Sequence, residues 1–516
     1  MNRTAPTPWQ APPRPAVAVA LWLLPLVVVG AIYGPPAFHA EFISDDWALL
    51  LHHQHPGDIV GEWTKSTHLH AQGIDGGYLW RPLTSTVYQV VGETFGRTPT
   101  VFRLLNVGIH AVNVLLVTAL GNAFARGGGL ERKAPAEPTT LGSLLTGCLV
   151  AVALTVHPLI PDAVGWCADT YDLMAAGFLL LGIAASLSSR AMVSLAGPGA
   201  ALFLALLCKE SAVAFAAALV GVLVIFGWWR RAVAVGAVLA GVALVHGRWH
   251  HAIVGDFQNS ALDLMVWPDF LGLWTDYLRW PLTMPVRAGF THAVTPGQEP
   301  ISVLGVALAV SGLLAWFAAA RSRWVGGRYV ASAIGVWVVM VSPGAMAAMG
   351  FGQQASRYLY MPMVVAWPFI AGAWRGCRRP RTLGAVVLVA WILVWAPQAV
   401  VRIGQWQSDR TLYLAELRQE PDNPLAQKAV GRLLVQAGQV EPGLDLWEEA
   451  LEHPPASRFM MDLQQERLDF AVAALQAGQP DRARVRLAQF IADEQAAGRE
   501  VDDSVWRLWE RVGGDR

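Results

Sequence analysis

Uninterrupted apolar runs follow one another along this chain from residue 16 to residue 401. Each run approaches the roughly 20 residues that a helix needs to cross the hydrocarbon core of a bilayer. The pattern therefore predicts an all-α fold, a polytopic membrane helix bundle of about eleven spans. The runs lie at 16–33, 103–124, 141–158, 172–189, 194–208, 211–229, 233–250, 302–320, 329–348, 359–374 and 383–401.

The first run has a rival interpretation as a cleaved signal peptide. It is long for such a peptide, and the residues that follow it, 37–40, form a poor cleavage site. We therefore expect an uncleaved first helix, preceded by a disordered, Pro-rich N-terminus.

The pattern changes after about residue 403, where charge rises and Leu, Ala and Gly recur as in amphipathic helices. Two helix–turn–helix units are predicted, with turns at 436–439 and 476–479. The turns are 40 residues apart, whereas a strict tetratricopeptide repeat (TPR) has a period of ~34. A small, degenerate TPR-like domain is therefore indicated.

The chain divides on this evidence into a membrane domain, residues 1–402, and a helical-repeat domain, residues 403–516. Helical stacks of the second kind usually bind peptides or partner proteins. We expect the molecule on which the protein acts, a protein or a glycan acceptor, to dock on this domain.

Positively charged residues fall in alternate short connections between the apolar runs. Such residues mark the cytoplasmic side, which predicts a bacterial inner-membrane protein with a cytoplasmic N-terminus and a periplasmic C-terminal domain. The residues are Arg126, Arg132, Lys133, Arg190, Arg230, Arg231, Arg321, Arg323, Arg328, Arg375, Arg378, Arg379 and Arg381.

Composition agrees with a membrane protein. The 516 residues are 54% hydrophobic and 15% charged, whereas soluble domains carry roughly 25% charged residues. The formal net charge is zero, so no nucleic-acid partner is indicated. The cysteines show no metal-ligand spacing, and a disulfide between Cys167 and Cys208 at the outer face is an open but disfavoured alternative.

Two adjacent carboxylates, Asp45 and Asp46, follow the first apolar run directly. A carboxylate at a membrane boundary is a functional candidate, and the alternative is a solvated loop that happens to hold two acids. Adjacent side chains point in different directions. We therefore predict that Asp45 is a base that faces the site, and that Asp46 caps a helix beginning at Trp47.

Asn106, His110 and Asn113 are spaced i, i+4 and i+7 within the second run, so they share one helix face. Hydrogen bonding between helices is the favoured explanation for such a stripe. A role in lining a functional cavity is the alternative.

Several other polar residues fall at the outer ends of the predicted spans. A lipid-linked phosphosugar would present a phosphate and an anomeric carbon at that level. Cations there suit the binding of the phosphate as it leaves, and a carboxylate suits acceptance of the proton from an acceptor hydroxyl. The chain has no P-loop and no GxGxxG motif, so a soluble nucleotide donor is not supported. The residues are Arg81, Lys209 and Arg357 as phosphate ligands, and His157, Asp162, Asp172, Glu210 and Tyr358 as cavity-lining residues.

The first outer loop also holds His68 and His70 beside the acids. Histidine with carboxylate can bind a divalent metal, so a metal cofactor is possible. Solvated loop histidines are the favoured alternative, because the spacing matches no fixed signature.

The second long outer loop contains an amphipathic pattern at 263–285, rich in Trp and Tyr. These aromatic residues favour the boundary between water and lipid, so a helix lying on the membrane is predicted. A loop helix packed on the spans is nearly as well supported.

Six motifs occur in an order that carries a family resemblance. They are Phe42 to Asp46, Arg81-Pro82-Leu83-Thr84, Phe102 to Asn113, His157-Pro158 with Asp162 and Asp172-Leu173, Lys209-Glu210, and Arg357-Tyr358-Leu359-Tyr360-Met361-Pro362. In this set the chain resembles the GT-C superfamily of polytopic glycosyltransferases, in particular bacterial relatives of the transmembrane and tetratricopeptide-repeat O-mannosyltransferases. It departs from them at Trp80, where Tyr is usual, and at 169–171, where relatives carry Gly-Arg.

The resemblance implies an inverting glycosyltransferase with a polyprenyl-phosphate sugar donor and an Asp of the first outer loop as base. The favoured acceptor is a protein Ser or Thr hydroxyl. A transferase that modifies a lipid or a cell-surface polysaccharide is one alternative. A non-catalytic membrane scaffold that recruits partners through its repeats is another.

Overall fold

The fold was examined in a computed structural model. It describes residues 11–44, 46, 58–65, 79–127, 130–131, 138–255, 267–283, 292–293, 301–321, 324–351, 353–373, 380–454 and 461–515.

The regular secondary structure of the described residues is helical apart from one pair of two-residue strands, β1 (His292–Ala293) and β2 (Gln353–Gln354), which pair antiparallel. The predicted all-helical class is confirmed. The helices are α1 (Pro15–Ala37), α2 (Ile59–Thr64), α3 (Pro82–Phe95), α4 (Pro99–Ala125), α5 (Leu141–Thr155), α6 (Ile160–Gly165), α7 (Thr170–Ser186), α8 (Ala191–Leu206), α9 (Ala214–Ile225), α10 (Trp229–Val254), α11 (Trp267–Thr283), α12 (Val303–Arg321), α13 (Val325–Phe351), α14 (Tyr360–Ala366), α15 (Pro368–Gly372), α16 (Pro380–Gln405), α17 (Asp409–Gln419), α18 (Pro424–Gln436), α19 (Val440–Glu452), α20 (Leu463–Gln476), α21 (Pro480–Ala496) and α22 (Asp503–Arg511).

Six helical segments among the described residues are long and apolar enough to cross a membrane. Four further apolar helices are shorter, so the eleven predicted runs do not all become helices of spanning length. The long segments are Pro15–Ala37, Pro99–Ala125, Cys167–Ser186, Trp229–Val254, Val325–Gly350 and Leu383–Gln405, and the short ones are Leu141–Thr155, Ala191–Leu206, Glu210–Ile225 and Val303–Ala318.

The run predicted at 359–374 as one span is corrected to two short helices, α14 and α15. They meet at Trp367, immediately before Pro368. Trp367 keeps helical angles, with φ −61° and ψ −40°, but Pro368 has no N–H group and so cannot donate the hydrogen bond that would continue the first helix. Nearly every side chain in both helices is buried, so this segment is an interior element of the bundle.

Capping chemistry explains where α4 and α5 begin. Thr98 accepts a hydrogen bond from the amide of Val101, and Pro99 occupies the first turn of α4. Thr140 and Ser143 form a reciprocal capping box at the start of α5. The side-chain oxygens accept hydrogen bonds from amides that have no partner within the first turn, and a proline in that turn has no N–H group to satisfy.

Helices α4 and α5 cross closely at Gly147. A Cβ atom at that position would lie 2.6 Å from the carbonyl oxygen of Thr118. Small residues permit such close approach between membrane helices. A different face of α4 carries Asn106 and Asn113. Asn106 accepts a hydrogen bond from Thr170 at the start of α7, and Asn113 donates to Leu173 of α7 and to Tyr360 of α14.

Helix α11 corresponds to the predicted amphipathic segment. Its residues Leu273, Tyr277 and Trp280 are buried, and the helix packs against α12 and α13. The hydroxyl of Tyr277 donates to the carbonyl of Ala355 and accepts from its amide. Packing on the spans, the alternative to a helix lying on the membrane, therefore accounts for this face.

The C-terminal helices form two hairpins at the predicted places. Helices α18 and α19 join at residues 436–439, and α20 and α21 join at 476–479. Gly438 and Gly478 occupy equivalent turn positions, with φ of +81° and +73°, a conformation that costs glycine least. The hairpins share a hydrophobic core of their own, which runs from Leu425 to Val512.

Candidate functional site

The predicted phosphate-binding residues stand at helix boundaries. Arg81 directly precedes α3, whose first residue is Pro82. Lys209 lies between α8 and a short 3₁₀ helix, Glu210–Val213. Arg357 lies in a second 3₁₀ helix, Ser356–Leu359, which leads into α14. All three cations therefore lie outside the regular α-helices, in the short segments that precede or join them.

Two ion pairs connect these cations to predicted cavity-lining residues. The Lys209 ammonium lies 2.8 Å from the Asp172 carboxylate, with side chains 13% and 3% exposed. The Arg81 guanidinium binds the Glu210 carboxylate through Nη2 at 2.9 Å and through Nε at 3.2 Å. A planar guanidinium bound in this two-point manner has a fixed orientation.

The second pair sets the charge state of Glu210. Burial raises the pKa of this carboxyl, but the charge and hydrogen bonds of Arg81 outweigh burial and hold the pKa below its usual range. Glu210 is therefore an anion at neutral pH. Its role in this arrangement is to orient the guanidinium.

Aromatic rings bring the third cation into the same cluster. The Arg357 guanidinium lies 4.4 Å from the ring centroid of Trp166 and 5.0 Å from that of Tyr358. The Lys209 ammonium lies 5.8 Å from the same Tyr358 ring. Cations over aromatic faces gain about 0.5–2 kcal/mol. Tyr358 thus links Lys209 with Arg357.

Tyr171 links the two ion pairs. Its ring lies 4.7 Å from the Arg81 guanidinium, and it directly precedes Asp172. The structure therefore brings Arg81, Lys209, Glu210, Asp172, Arg357 and Tyr358 into one connected group, the cation cluster.

Asp46 lies on the other side of the turn that leads to Asp172. Its Oδ1 accepts from the amide of Ala168 at 2.8 Å, and its Oδ2 accepts from the amide of Ile43 at 3.1 Å. The side chain is 1% exposed. Asp46 therefore braces the segment after α1 against the short 3₁₀ helix Cys167–Asp169, the 167–169 turn.

Part of the prediction for this loop lies outside the described residues. Asp45 belongs there, as do residues 47–50, where the helix capped by Asp46 was expected. The histidines His68 and His70 also lie outside. Within the described ranges, no group of three or more His, Cys, Asp or Glu side chains is arranged to hold a metal ion.

The polar stripe on α4 forms hydrogen bonds between helices. Asn106 donates to the carbonyl of Trp166 at 2.8 Å, and Asn113 donates to that of Leu173 at 2.9 Å. His110 Nδ1 lies 2.8 Å from the hydroxyl of Tyr360. The favoured explanation, polar contacts that join helices, accounts for Asn106 and His110, which support the turns that carry the cluster.

Asp162 is a partner of Arg402 in a buried group of its own. Arg402 binds it through Nε at 2.6 Å and Nη2 at 3.1 Å, and Trp406 Nε1 donates at 2.7 Å. Ser356, the neighbour of Arg357, also donates to Asp162. All four acceptor interactions are internal, so Asp162 holds α16 and the Arg357 turn together.

His157, like Asp162, makes its hydrogen bonds within the protein. Its Nδ1 accepts from the amide of Leu159 at 3.2 Å, and its Nε2 lies 3.1 Å from the carbonyl of Pro281. Because Nδ1 accepts, the proton is assigned to Nε2, which donates to Pro281. The ring stacks on Trp391 with centroids 5.6 Å apart.

Sequence reasoning missed three contributors to this region. Trp166 and Tyr171 contact the cations through their rings, and nothing in the pattern separates them from other aromatic residues. Arg402 carried a signal, because a charged residue directly after the last apolar run needs a partner when it is buried. The thiols of Cys167 and Cys208 are free and buried, which excludes the disulfide between them.

Comparison with known proteins gives little guidance. No family profile and no curated protein matches the chain. A solved structure, the crystal structure of ArnT from Cupriavidus metallidurans bound to undecaprenyl phosphate, is 17% identical and covers 92% of this chain and 79% of its own, with a TM-score of 0.39. This likeness is too weak to assign a family or a function.

Proposed function

We propose that this protein is an inner-membrane glycosyltransferase of the GT-C type. It transfers a sugar from a polyprenyl-phosphate-linked donor to an acceptor hydroxyl, with protein Ser or Thr favoured. The observation that supports this most is the cation cluster. Three cations that are far apart in sequence, Arg81, Lys209 and Arg357, meet in it. Glu210 pairs with Arg81, Asp172 pairs with Lys209, and the Tyr358 ring contacts both Lys209 and Arg357.

The cluster suits the phosphate of a lipid-linked donor. Its cations are held in place by Asp172, Glu210 and aromatic rings, so little reorganisation is needed when a phosphate arrives. Preorganised charges of this kind stabilise negative charge that develops in the transition state. A polyprenyl chain would remain among the apolar spans, with its phosphate at their ends.

The proposed reaction is a displacement at the anomeric carbon. The acceptor oxygen forms a bond to that carbon while the bond to the phosphate oxygen breaks, and the phosphate leaves with the bonding electron pair. A carboxylate accepts the hydroxyl proton. Because both Asp46 oxygens accept backbone N–H bonds, Asp45 is the proposed base.

Binding of undecaprenyl phosphate to purified protein in nanodiscs tests the phosphate site. Lys209→Gln and Arg357→Gln should each weaken binding by roughly 10–150-fold, the equivalent of ~1.5–3 kcal/mol for one charge-assisted hydrogen bond. The side chains are 13% and 8% exposed, so solvent screens them little. Arg432→Gln is the matched control, because this arginine pairs with Glu466 in the C-terminal hairpins.

Loss of Lys209 also leaves Asp172 without its cation. The double variant Lys209→Gln with Asp172→Asn removes both charges of this pair, so it separates weaker binding from misfolding. Unchanged affinity in the folded double variant and in Arg357→Gln would remove both cations from the site and would favour the non-catalytic scaffold.

A further inference from the structure

The segment that joins the membrane domain to the C-terminal hairpins also contacts the first outer loop. The carbonyl of Gln407 accepts from the amide of Glu41 at 2.7 Å. Asp409 Oδ1 accepts from the amide of Ser44 at 3.2 Å. The chain continues from Ser44 directly into Asp45 and Asp46. Two bonds from one short segment therefore hold the beginning of the loop that carries both acids.

Ser44 has a backbone conformation that requires such support. Its φ is +51°, and it is the one non-glycine residue with positive φ in the part of the chain that the structure describes. Non-glycine residues in this region are strained and persist where surrounding contacts hold them. The Asp409 carboxylate supplies one of these contacts at the strained residue itself.

The far side of the same loop is also held. Asp46 accepts from the amide of Ala168 at 2.8 Å, and Ala168 lies in the turn that leads to Asp172. The described residues of the loop, 41–44 and 46, are therefore held between the 407–409 segment and the 167–169 turn. A shift at either anchor would move Ser44 or Asp46, the two neighbours of Asp45 in the chain.

We propose that Asp409 is a positioning residue for the transfer reaction, acting through the amide of Ser44 on the loop that carries Asp45 and Asp46. This assignment rests on the proposed function. Its described contact is with the backbone amide of Ser44, the residue that directly precedes the proposed base in the chain.

The contact between Asp409 and Ser44 is not a by-product of helix capping, because a different residue caps the helix. It is the first residue of α17, and Ser408 caps that helix by accepting from the amide of Thr411 at 3.2 Å. Ser408→Ala is therefore a matched control, because it weakens the same helix start without removing the acceptor of Ser44.

The test compares Asp409→Ala, Asp409→Asn and Ser408→Ala in nanodiscs. Hydrogen–deuterium exchange of the peptide covering residues 38–46 reports the loop, and undecaprenyl phosphate binding reports the cation cluster. Sugar transfer from a panel of polyprenyl-phosphate monosaccharides gives kcat and KM. Asp409→Ala should speed loop exchange and lower kcat by about tenfold, the effect of losing one hydrogen bond, with phosphate binding unchanged.

Asp409→Asn keeps an acceptor oxygen and should restore both loop exchange and kcat, while Ser408→Ala should change neither. Unchanged exchange and kcat in Asp409→Ala, with normal transfer by the wild type, overturns the positioning role alone. The same holds if kcat falls equally in Ser408→Ala. Absence of transfer by the wild type with every donor overturns the proposed function, and this role with it.

Discussion

Removal of either partner of the buried Asp162–Arg402 pair is expected to destabilise the protein strongly. The two side chains are 1% and 3% exposed, so water cannot solvate the charge that remains. Loss of one partner from a buried ion pair costs about 3–5 kcal/mol. In Asp162→Asn, the cation of Arg402 retains Glu416 at 3.5 Å as its nearest carboxylate, which is a poorly placed substitute.

Unfolding in mixed micelles of detergent and sodium dodecyl sulfate, followed by tryptophan fluorescence, measures this cost. Asp162→Asn and Arg402→Met should each lower the free energy of unfolding by ~3–5 kcal/mol, and the double variant should lose clearly less than their sum because the two costs are coupled. Asp445→Asn is the control. Its carboxylate is 68% exposed opposite Arg482, and exposed pairs contribute ~0.2–1 kcal/mol. Additive costs below ~1 kcal/mol for the buried pair would refute the reasoning.

Two further outcomes are expected. A periplasmic reporter fused after Asp409 should be active and a cytoplasmic reporter at the same place inactive, because positive residues mark the other side; the reverse pattern would invert the topology. Burial, reinforced by Glu41, raises the pKa of Asp409 above its ordinary 3.8, although the Ser44 amide opposes the shift. Its stabilising contribution is therefore complete below pH ~3.8 and is lost as pH rises through the raised pKa. Asp409→Asn should accordingly gain stability relative to the wild type between pH 4 and 7, measured by the same unfolding assay, and a constant difference across that range would contradict the shift.

The positions of most helices and of both hairpin turns could be predicted, because apolar runs and turn glycines determine the conformation of the residues in which they occur. The hairpin turns at 436–439 and 476–479 are confirmed, since Gly438 and Gly478 supply the positive φ that the turns require. The interior position of α14 and α15 could not be predicted, because their apolar composition is the same as that of a span. Only packing against other helices shows that they lie inside.

The candidate site was predictable as a set of residue types and less so as a set of roles. Lys209 and Arg357 interrupt apolar sequence, and the structure joins them through Tyr358. Asp162 and Asp172 were both predicted to line the cavity, because both are acids in the segment that follows His157. The structure pairs Asp162 instead with Arg402, 240 residues away. Roles of this kind depend on long-range pairing, which a local pattern does not contain.

Sugar transfer by reconstituted protein tests the central proposal most directly. Liposomes with a labelled polyprenyl-phosphate sugar and a Ser/Thr-containing peptide acceptor should yield labelled peptide with the wild type. Asp45→Asn keeps the shape of the side chain and removes the basic oxygen, so it should abolish transfer while undecaprenyl phosphate still binds. Asp46→Asn keeps one acceptor oxygen for the loop and should retain more activity. Full activity in Asp45→Asn with loss in Asp46→Asn would reverse the two roles. Full activity in both variants would contradict the proposed glycosyltransferase reaction.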